Sequence, residues 1–124
     1  MRYGFHPVNL GVRFLLELAA VVALGILGAS LADGVLSAVL ALALPLIGMG
    51  IWGTFAVPGD RSRSGEAPIP VSGAVRLLVE GGIFTAAVAA LVMVDRPLWA
   101  GMLALCVIVH YALSVDRINW LVRQ

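Results

Sequence analysis

The stretch "FLLELAAVVALGILGASLA", residues 14–32, runs apolar for the length of a membrane-spanning helix and contains one charged residue, Glu17. A helix needs about 20 predominantly apolar residues to cross the hydrocarbon core of a bilayer. Across the whole chain of 124 residues, 61% are hydrophobic and 12% are charged, whereas about a quarter of the residues of a soluble domain are charged. The composition therefore excludes an ordinary soluble domain and predicts a membrane protein.

Four apolar runs have the length of a span, at residues 8–30, 35–57, 72–94 and 97–115. They are continuous rather than alternating at every second residue, which favours α-helices over barrel strands. Short polar segments join the runs within each pair, and a longer polar loop, residues 58–71, joins the two pairs. The sequence predicts an all-α integral membrane four-helix bundle, with residues 1–124 forming a single transmembrane domain.

A short phrase occurs twice, as "VRFLLEL" at residues 12–18 and as "VRLLVEG" at residues 75–81. In both copies an arginine precedes a glutamate by four residues, a spacing that places the two side chains on one face of a helix. Each copy opens a pair of apolar runs, so the two pairs enter the membrane in the same direction. The chain is therefore predicted to consist of two parallel helical-hairpin repeats.

All eight basic residues are arginines, and their distribution predicts the orientation of the chain. Arginine near the end of a span is retained on the cytoplasmic side. Arg96 lies between the third and fourth runs, on one side of the predicted bundle. The other seven lie on or near the opposite side, namely Arg2, Arg13, Arg61, Arg63, Arg76, Arg117 and Arg123. We therefore expect both termini and the central loop to lie in the cytoplasm.

The two glutamates of the repeated phrase lie about one to two helical turns inside the predicted membrane interface. Charged side chains at that depth are costly, and they usually face the interior of the protein and are paired. The pairs are either within each helix or crossed between the two repeats, and the spacing is compatible with both. A histidine and a tyrosine of the fourth run and a tryptophan of the second run are predicted at the same depth. The candidate binding residues are Arg13, Glu17, Trp52, Arg76, Glu80, His110 and Tyr111.

Two functions are compatible with this cluster. The first is binding or transport of a small solute, or proton-linked transport, by a homo-oligomer, because four spans enclose little space for a pathway. The second is a structural or accessory membrane subunit in which the ion pairs only hold the helices together.

Other functional classes have little support in the sequence. The chain has no nucleophile motif, phosphate-binding loop or zinc-ligand spacing, so we predict no catalytic residue, metal or cofactor, and an enzyme is not favoured. The formal net charge is +1, which gives no indication of a nucleic-acid partner. The expected partner is the lipid bilayer, and the identity of any small-molecule ligand is left open.

Three phrases together resemble a known family. "RFLLE" at residues 13–17, "WGTFAVP" at residues 52–58 and "RLLVE" at residues 76–80 occur in that order across the four runs. In these phrases the chain is similar to the YrdB-like family of small bacterial membrane proteins. The resemblance covers nearly the whole chain and implies a four-helix membrane protein of a family whose function is unknown.

Overall fold

The computed structural model describes residues 2–63 and 65–124, and these are mostly helical. Five α-helices and two short strands occur along them. In chain order they are α1 (Pro7–Ser30), α2 (Gly34–Thr54), β1 (Phe55–Ala56), β2 (Ile69–Pro70), α3 (Gly73–Met93), α4 (Pro97–Leu113) and α5 (Val115–Val122). The prediction of a mainly α-helical protein is confirmed, and the helices α1 to α4 follow the four apolar runs.

Three of the helices are candidate membrane spans. Each of α1, α2 and α3 is long and apolar enough to cross a membrane. Helices α4 and α5 meet the same criterion only as a pair, and the chain bends by 71° between them. The predicted fourth span, residues 97–115, therefore coincides with α4 except for its last two residues, after which α5 continues in a different direction. The bend lies at Ser114, whose hydroxyl donates to the carbonyl oxygen of His110 at 2.7 Å, a side-chain bond to the backbone that is common near helix ends.

The second predicted span is also too long at its C-terminal end. It was expected to reach Val57, but α2 ends at Thr54 and Phe55 is extended, with φ −94° and ψ 101°. The strands β1 and β2 pair in parallel, with Phe55 opposite Ile69. The amide of Val71 then donates to the carbonyl oxygen of Ala56 at 2.9 Å. This pairing joins the two ends of the connection between α2 and α3, and of this connection residues 55–63 and 65–72 are described; β1 contacts both helices.

Local sequence signals explain where the helices begin. The imidazole Nδ1 of His6 accepts the amide of the second residue of α1 at 3.2 Å, and the hydroxyl of Ser72 accepts an amide in the first turn of α3 at 3.3 Å. Pro97 is the first residue of α4, where its missing amide hydrogen costs nothing. In the two short turns, Gly34 and Asp95 have φ of +63° and +59°, a left-handed conformation that glycine and aspartate tolerate better than most residues.

Small side chains form much of the interior between α1, α3 and α4. The buried apolar residues are Leu16, Ala20, Ala23, Phe84, Ala87, Leu91, Ala100 and Leu103. Alanines at helix contacts let the backbones approach closely, which is how helices associate in a membrane. At Gly28 the approach of α1 to α2 is so close that a Cβ would overlap the backbone of Leu40. Many large aliphatic side chains of the same helices are exposed, so the outer surface is apolar.

Candidate functional site

The charged side chains of the helices lie together at one end of the structure. The N-terminal parts of α1 and α3 meet there with α5 and with the loop of residues 55–72. The bend after α4 turns α5 towards α3 and places Arg117 beside Glu80, 37 residues away in sequence. The opposite end of the helices contains the two short turns.

Glu80 is the centre of this group and is fully buried. Its Oε2 atom accepts hydrogen bonds from Arg13 Nη2 at 3.0 Å, Arg76 Nε at 2.8 Å and Arg117 Nη2 at 2.7 Å. Its Oε1 atom accepts from Arg117 Nη1 at 2.9 Å and from the hydroxyl of Tyr111 at 2.6 Å. We call these five residues the Glu80 cluster. One carboxylate therefore accepts hydrogen bonds from three arginines, and the ion pairs form a network rather than a set of separate pairs.

Glu17, the counterpart of Glu80 in the repeated phrase, has a different environment. Its side chain is 29% exposed, and its Oε1 atom accepts one hydrogen bond, from Arg13 Nε at 3.1 Å. Arg13 thus makes the pair within its own helix and also the crossed pair with Glu80. Among the described residues, Arg76 forms an ion pair with Glu80 and none with Glu17. The two predicted pairings therefore coexist at Arg13, and the two glutamates are not equivalent.

Arg76 connects the cluster to the C-terminal end of α2. Its Nη1 atom donates to the carbonyl oxygens of Trp52 and Phe55, the latter at 2.7 Å. The last carbonyl groups of a helix lack partners within the helix, and an arginine near them is favourable. The guanidinium carbons of Arg76 and Arg13 also lie 4.8 and 5.3 Å from the centre of the Trp52 ring. The predicted candidate Trp52 is thus in contact with two arginines of the Glu80 cluster.

Arg117 and Asp60 are part of the network although neither was among the predicted site residues. Arg117 Nη2 donates to Asp60 Oδ2 at 2.8 Å, and both side chains are buried. Asp60 Oδ1 accepts from the amide and the hydroxyl of Ser62 at 2.9 and 2.7 Å. Burial alone would raise the pKa of Asp60, but the hydrogen bonds from Arg117 and Ser62 and the charge of Arg117 outweigh it, and the pKa is lowered. Asp60 is therefore a carboxylate at neutral pH.

His110 lies next to Tyr111 but belongs to a second polar group. Its Nδ1 atom is 3.0 Å from the amide oxygen of Asn9, and Asn9 Nδ2 donates to the hydroxyl of Ser114 at 2.8 Å. All three side chains are buried. The structure thus places Tyr111 in the Glu80 cluster, as the sequence suggested, whereas His110 bonds to Asn9, a residue that the sequence did not single out.

A polar cavity of about 330 Å³ lies beside the Glu80 cluster. Its lining residues are Leu10, Arg13, Phe14, Glu17, Trp52, Gly53, Ser62, Arg63 and Arg76. Four of the seven predicted site residues therefore line one space, together with residues of the central loop. Arg63 is held at the cavity because its Nη2 atom donates to the carbonyl oxygens of Gly53 and Glu66 at 3.1 and 3.2 Å.

The described residues contain no group of three or more His, Cys, Asp or Glu side chains placed as metal ligands. The cluster and the cavity instead combine guanidinium groups with carboxylates, a hydroxyl and an indole ring. Such a site can bind a polar solute by hydrogen bonds and charge.

Comparison of the sequence with known proteins identifies the family. A family model described as "Protein of unknown function (DUF2568)" matches residues 11–108. The chain belongs to this family. It is also 44% identical over 120 residues to the "Uncharacterized protein YrdB" of Bacillus subtilis (strain 168), a match that covers 96% of this chain and 97% of the relative. The resemblance detected from the three phrases is confirmed, and no solved structure matches the chain.

Proposed function

We propose that the chain is a multi-pass protein of the bacterial inner membrane. In this arrangement α1 to α4 form a four-helix bundle of two parallel hairpin repeats, and α5 lies across its cytoplasmic end. The proposal is supported by the three candidate spans, the bent pair α4 and α5, and the apolar outer surface. The equivalent ion pairs of Arg13 with Glu17 and Arg76 with Glu80 support the repeat. The arginines near the Glu80 cluster support a cytoplasmic location for that end.

The orientation is testable by labelling with a membrane-impermeant maleimide. After replacement of the single cysteine, Cys106, by alanine, a cysteine is introduced at Glu66 in the central loop or at Asp33 in the α1–α2 turn; both residues are exposed. We expect the cysteine at position 33 to react in intact cells and the cysteine at position 66 to react only after permeabilisation. Ready labelling at position 66 from outside would contradict the proposed orientation.

We further assign to the protein the binding of a small polar solute. The polar cavity carries this assignment, because it combines charged groups, a hydroxyl and the Trp52 ring at the proposed cytoplasmic end of an otherwise apolar protein. Glu80 itself has no exposed surface and does not line the cavity, so it positions Arg13 and Arg76, which do, rather than acting as a ligand. If the bound solute is also transported, more than one copy of the chain is required, because four helices enclose too little space for a continuous pathway.

Filling the cavity tests the assignment. Gly53 lines the cavity, and a Cβ added there meets no atom within 4 Å, so Gly53→Leu adds a bulky side chain at the cavity wall without a clash at Cβ. Gly50 lies in the same helix with the same freedom but does not line the cavity, so Gly50→Leu is the matched control. Unfolding temperatures of the purified protein in detergent are measured against a panel of small anions, cations, amino acids and sugars. We expect a solute that stabilises the parent and the Gly50→Leu variant but leaves Gly53→Leu unchanged.

The alternative function, a structural or accessory subunit, is favoured by one observation. The five hydrogen bonds of Glu80 leave it closed to solvent, as expected of a group that only connects helices. A panel in which no solute stabilises the parent, or in which Gly53→Leu responds like the parent, would support this alternative over solute binding.

A further inference from the structure

The walls of the polar cavity have an excess of positive charge. Three arginines, Arg13, Arg63 and Arg76, line the space with one glutamate, Glu17. The excess remains when the groups bonded to this lining are counted, because Arg117 then adds one positive charge and Glu80 and Asp60 add two negative charges, which leaves four arginines against three carboxylates. The space between the arginines therefore favours an anionic occupant.

Two of these arginines also have hydrogen-bonding capacity that the protein does not use. Arg76 has a side chain that is 1% exposed, and its Nη2 atom is buried with no hydrogen-bond partner among the described residues. The Nη1 atom of Arg63 is also buried and has no hydrogen-bond partner among the described residues. A buried donor attached to a charged group is costly when it has no partner. Arg13, by contrast, uses its Nε, Nη1 and Nη2 atoms in bonds to Glu17, Ser62 and Glu80.

We infer that the cavity binds an oxyanionic group, such as a phosphate, and that the guanidinium groups of Arg63 and Arg76 reorient on binding so that their unused N–H groups donate to it. This inference rests on the proposed binding function and names the chemical class of its ligand. Guanidinium groups form their strongest hydrogen bonds with phosphate and carboxylate oxygens. The cavity volume of about 330 Å³ is several times the ~30 Å³ share of one water molecule, so it accommodates such a group together with part of the molecule that carries it.

The negative charge of Glu17 weakens anion binding in the cavity, an effect that a purely structural cluster would not show. Its carboxylate lines the cavity, is partly exposed and repels a bound anion. In Glu17→Gln the side-chain amide oxygen still accepts from Arg13, but the negative charge is gone. Removal of the negative charge in Glu17→Gln is therefore expected to strengthen anion binding.

Inorganic phosphate is the first probe. The unfolding temperature of the full chain in detergent is measured against phosphate concentration, with chloride keeping the ionic strength constant. We expect saturable stabilisation, a midpoint about tenfold higher in Arg63→Gln, and a midpoint about three- to tenfold lower in Glu17→Gln. Arg61→Gln is the matched control, because Arg61 lies two residues from Arg63 but stacks 4.2 Å from the Phe5 ring centre and does not line the cavity.

A second arm distinguishes free phosphate from a lipid headgroup. The same variants are reconstituted in nanodiscs of phosphatidylcholine with or without phosphatidylglycerol, and the stabilisation by the anionic lipid is compared. Stabilisation by phosphatidylglycerol that Arg63→Gln weakens and Arg61→Gln does not would identify a headgroup as the source, and the same pattern with phosphate alone would identify a free solute.

Several results would overturn the inference. One is an equal phosphate midpoint in Arg63→Gln, Glu17→Gln and the parent. Another is an equal loss of phosphate affinity in Arg61→Gln and Arg63→Gln, because this result indicates general attraction of anions to the loop. If both anionic probes fail while a neutral or cationic solute stabilises the parent but not Gly53→Leu, the oxyanion inference is wrong and the proposed binding function stands. If no solute of any class binds, both are wrong.

Discussion

Replacement of Glu80 by glutamine is expected to destabilise the protein by at least about 3–5 kcal/mol, the usual cost of removing one partner of a buried ion pair. The reason is the shared carboxylate: Arg13, Arg76 and Arg117 all bond to Glu80 Oε2, and none of the four side chains is more than 4% exposed. Glutamine has a similar shape but no charge, so three guanidinium groups lose their common counter-ion. Unfolding temperature and chemical denaturation in detergent micelles measure the effect.

Glu17→Gln is the matched control for this prediction. It makes the same chemical change at the equivalent position of the repeated phrase, but Glu17 is 29% exposed and has Arg13 as its one ion-pair partner. Partly exposed pairs contribute little, so we expect a loss below about 1 kcal/mol. If Glu80→Gln unfolded at the same temperature as Glu17→Gln, the network around Glu80 would not be a stabilising element.

Second-site rescue distinguishes a network from a simple pair. If Glu80 only balanced Arg76, the double variant Glu80→Leu with Arg76→Leu would recover most of the lost stability. In the network, Arg13 and Arg117 still lose Glu80 after that change and, among the described residues, keep only Glu17 and Asp60, respectively. The carbonyl groups of Trp52 and Phe55 also lose the donor that Arg76 supplies. We therefore expect partial recovery at most.

Gly73→Ala is expected to cause the second large loss of stability. Gly73 is the first residue of α3 and is buried, and a Cβ there would overlap the backbone carbonyl of Leu121 in α5. Backbone atoms do not move aside as a flexible side chain does, so α5 has to shift away from α3. Overpacking alone costs about 1–3 kcal/mol. The shift also moves Arg117 away from Glu80 and Asp60, which adds to the loss.

Two other glycines of α3 provide the comparison. At Gly81 and Gly82 an added Cβ meets no atom within 4 Å, so alanine at either position is expected to leave stability unchanged or raise it through its higher helix propensity. Limited trypsin digestion reports on α5 directly, because Arg117 is buried in the parent and becomes cleavable when the helix detaches. Resistance at Arg117 in Gly73→Ala equal to that in Gly81→Ala would contradict the role of this contact.

The sequence by itself determined the helices and the spacing of the charged residues along them. The lengths and apolar character of the runs specify α1 to α4, because a segment of the chain in a bilayer satisfies its backbone hydrogen bonds only within a helix or a closed barrel. The spacing of four between Arg13 and Glu17 and between Arg76 and Glu80 placed each arginine on the same helix face as its glutamate, but it left open whether the pairs form within a helix or between the two repeats. Helix length and the face on which a residue lies depend on helical geometry alone, so they can be predicted without knowing which segments pack together.

The tertiary structure decided which of these residues share a site. The bend at Ser114 and the return of the 55–72 loop bring Arg117 and Asp60 to Glu80, contacts across 37 and more residues that no helical period encodes. The same arrangement buries Glu80 and leaves Glu17 at the edge of a cavity, although their local sequences are nearly alike. A long charged side chain bonds to whatever groups the converging segments bring within a few ångströms, so the neighbours of Glu80 and the cavity beside it depend on the packed structure rather than on local sequence.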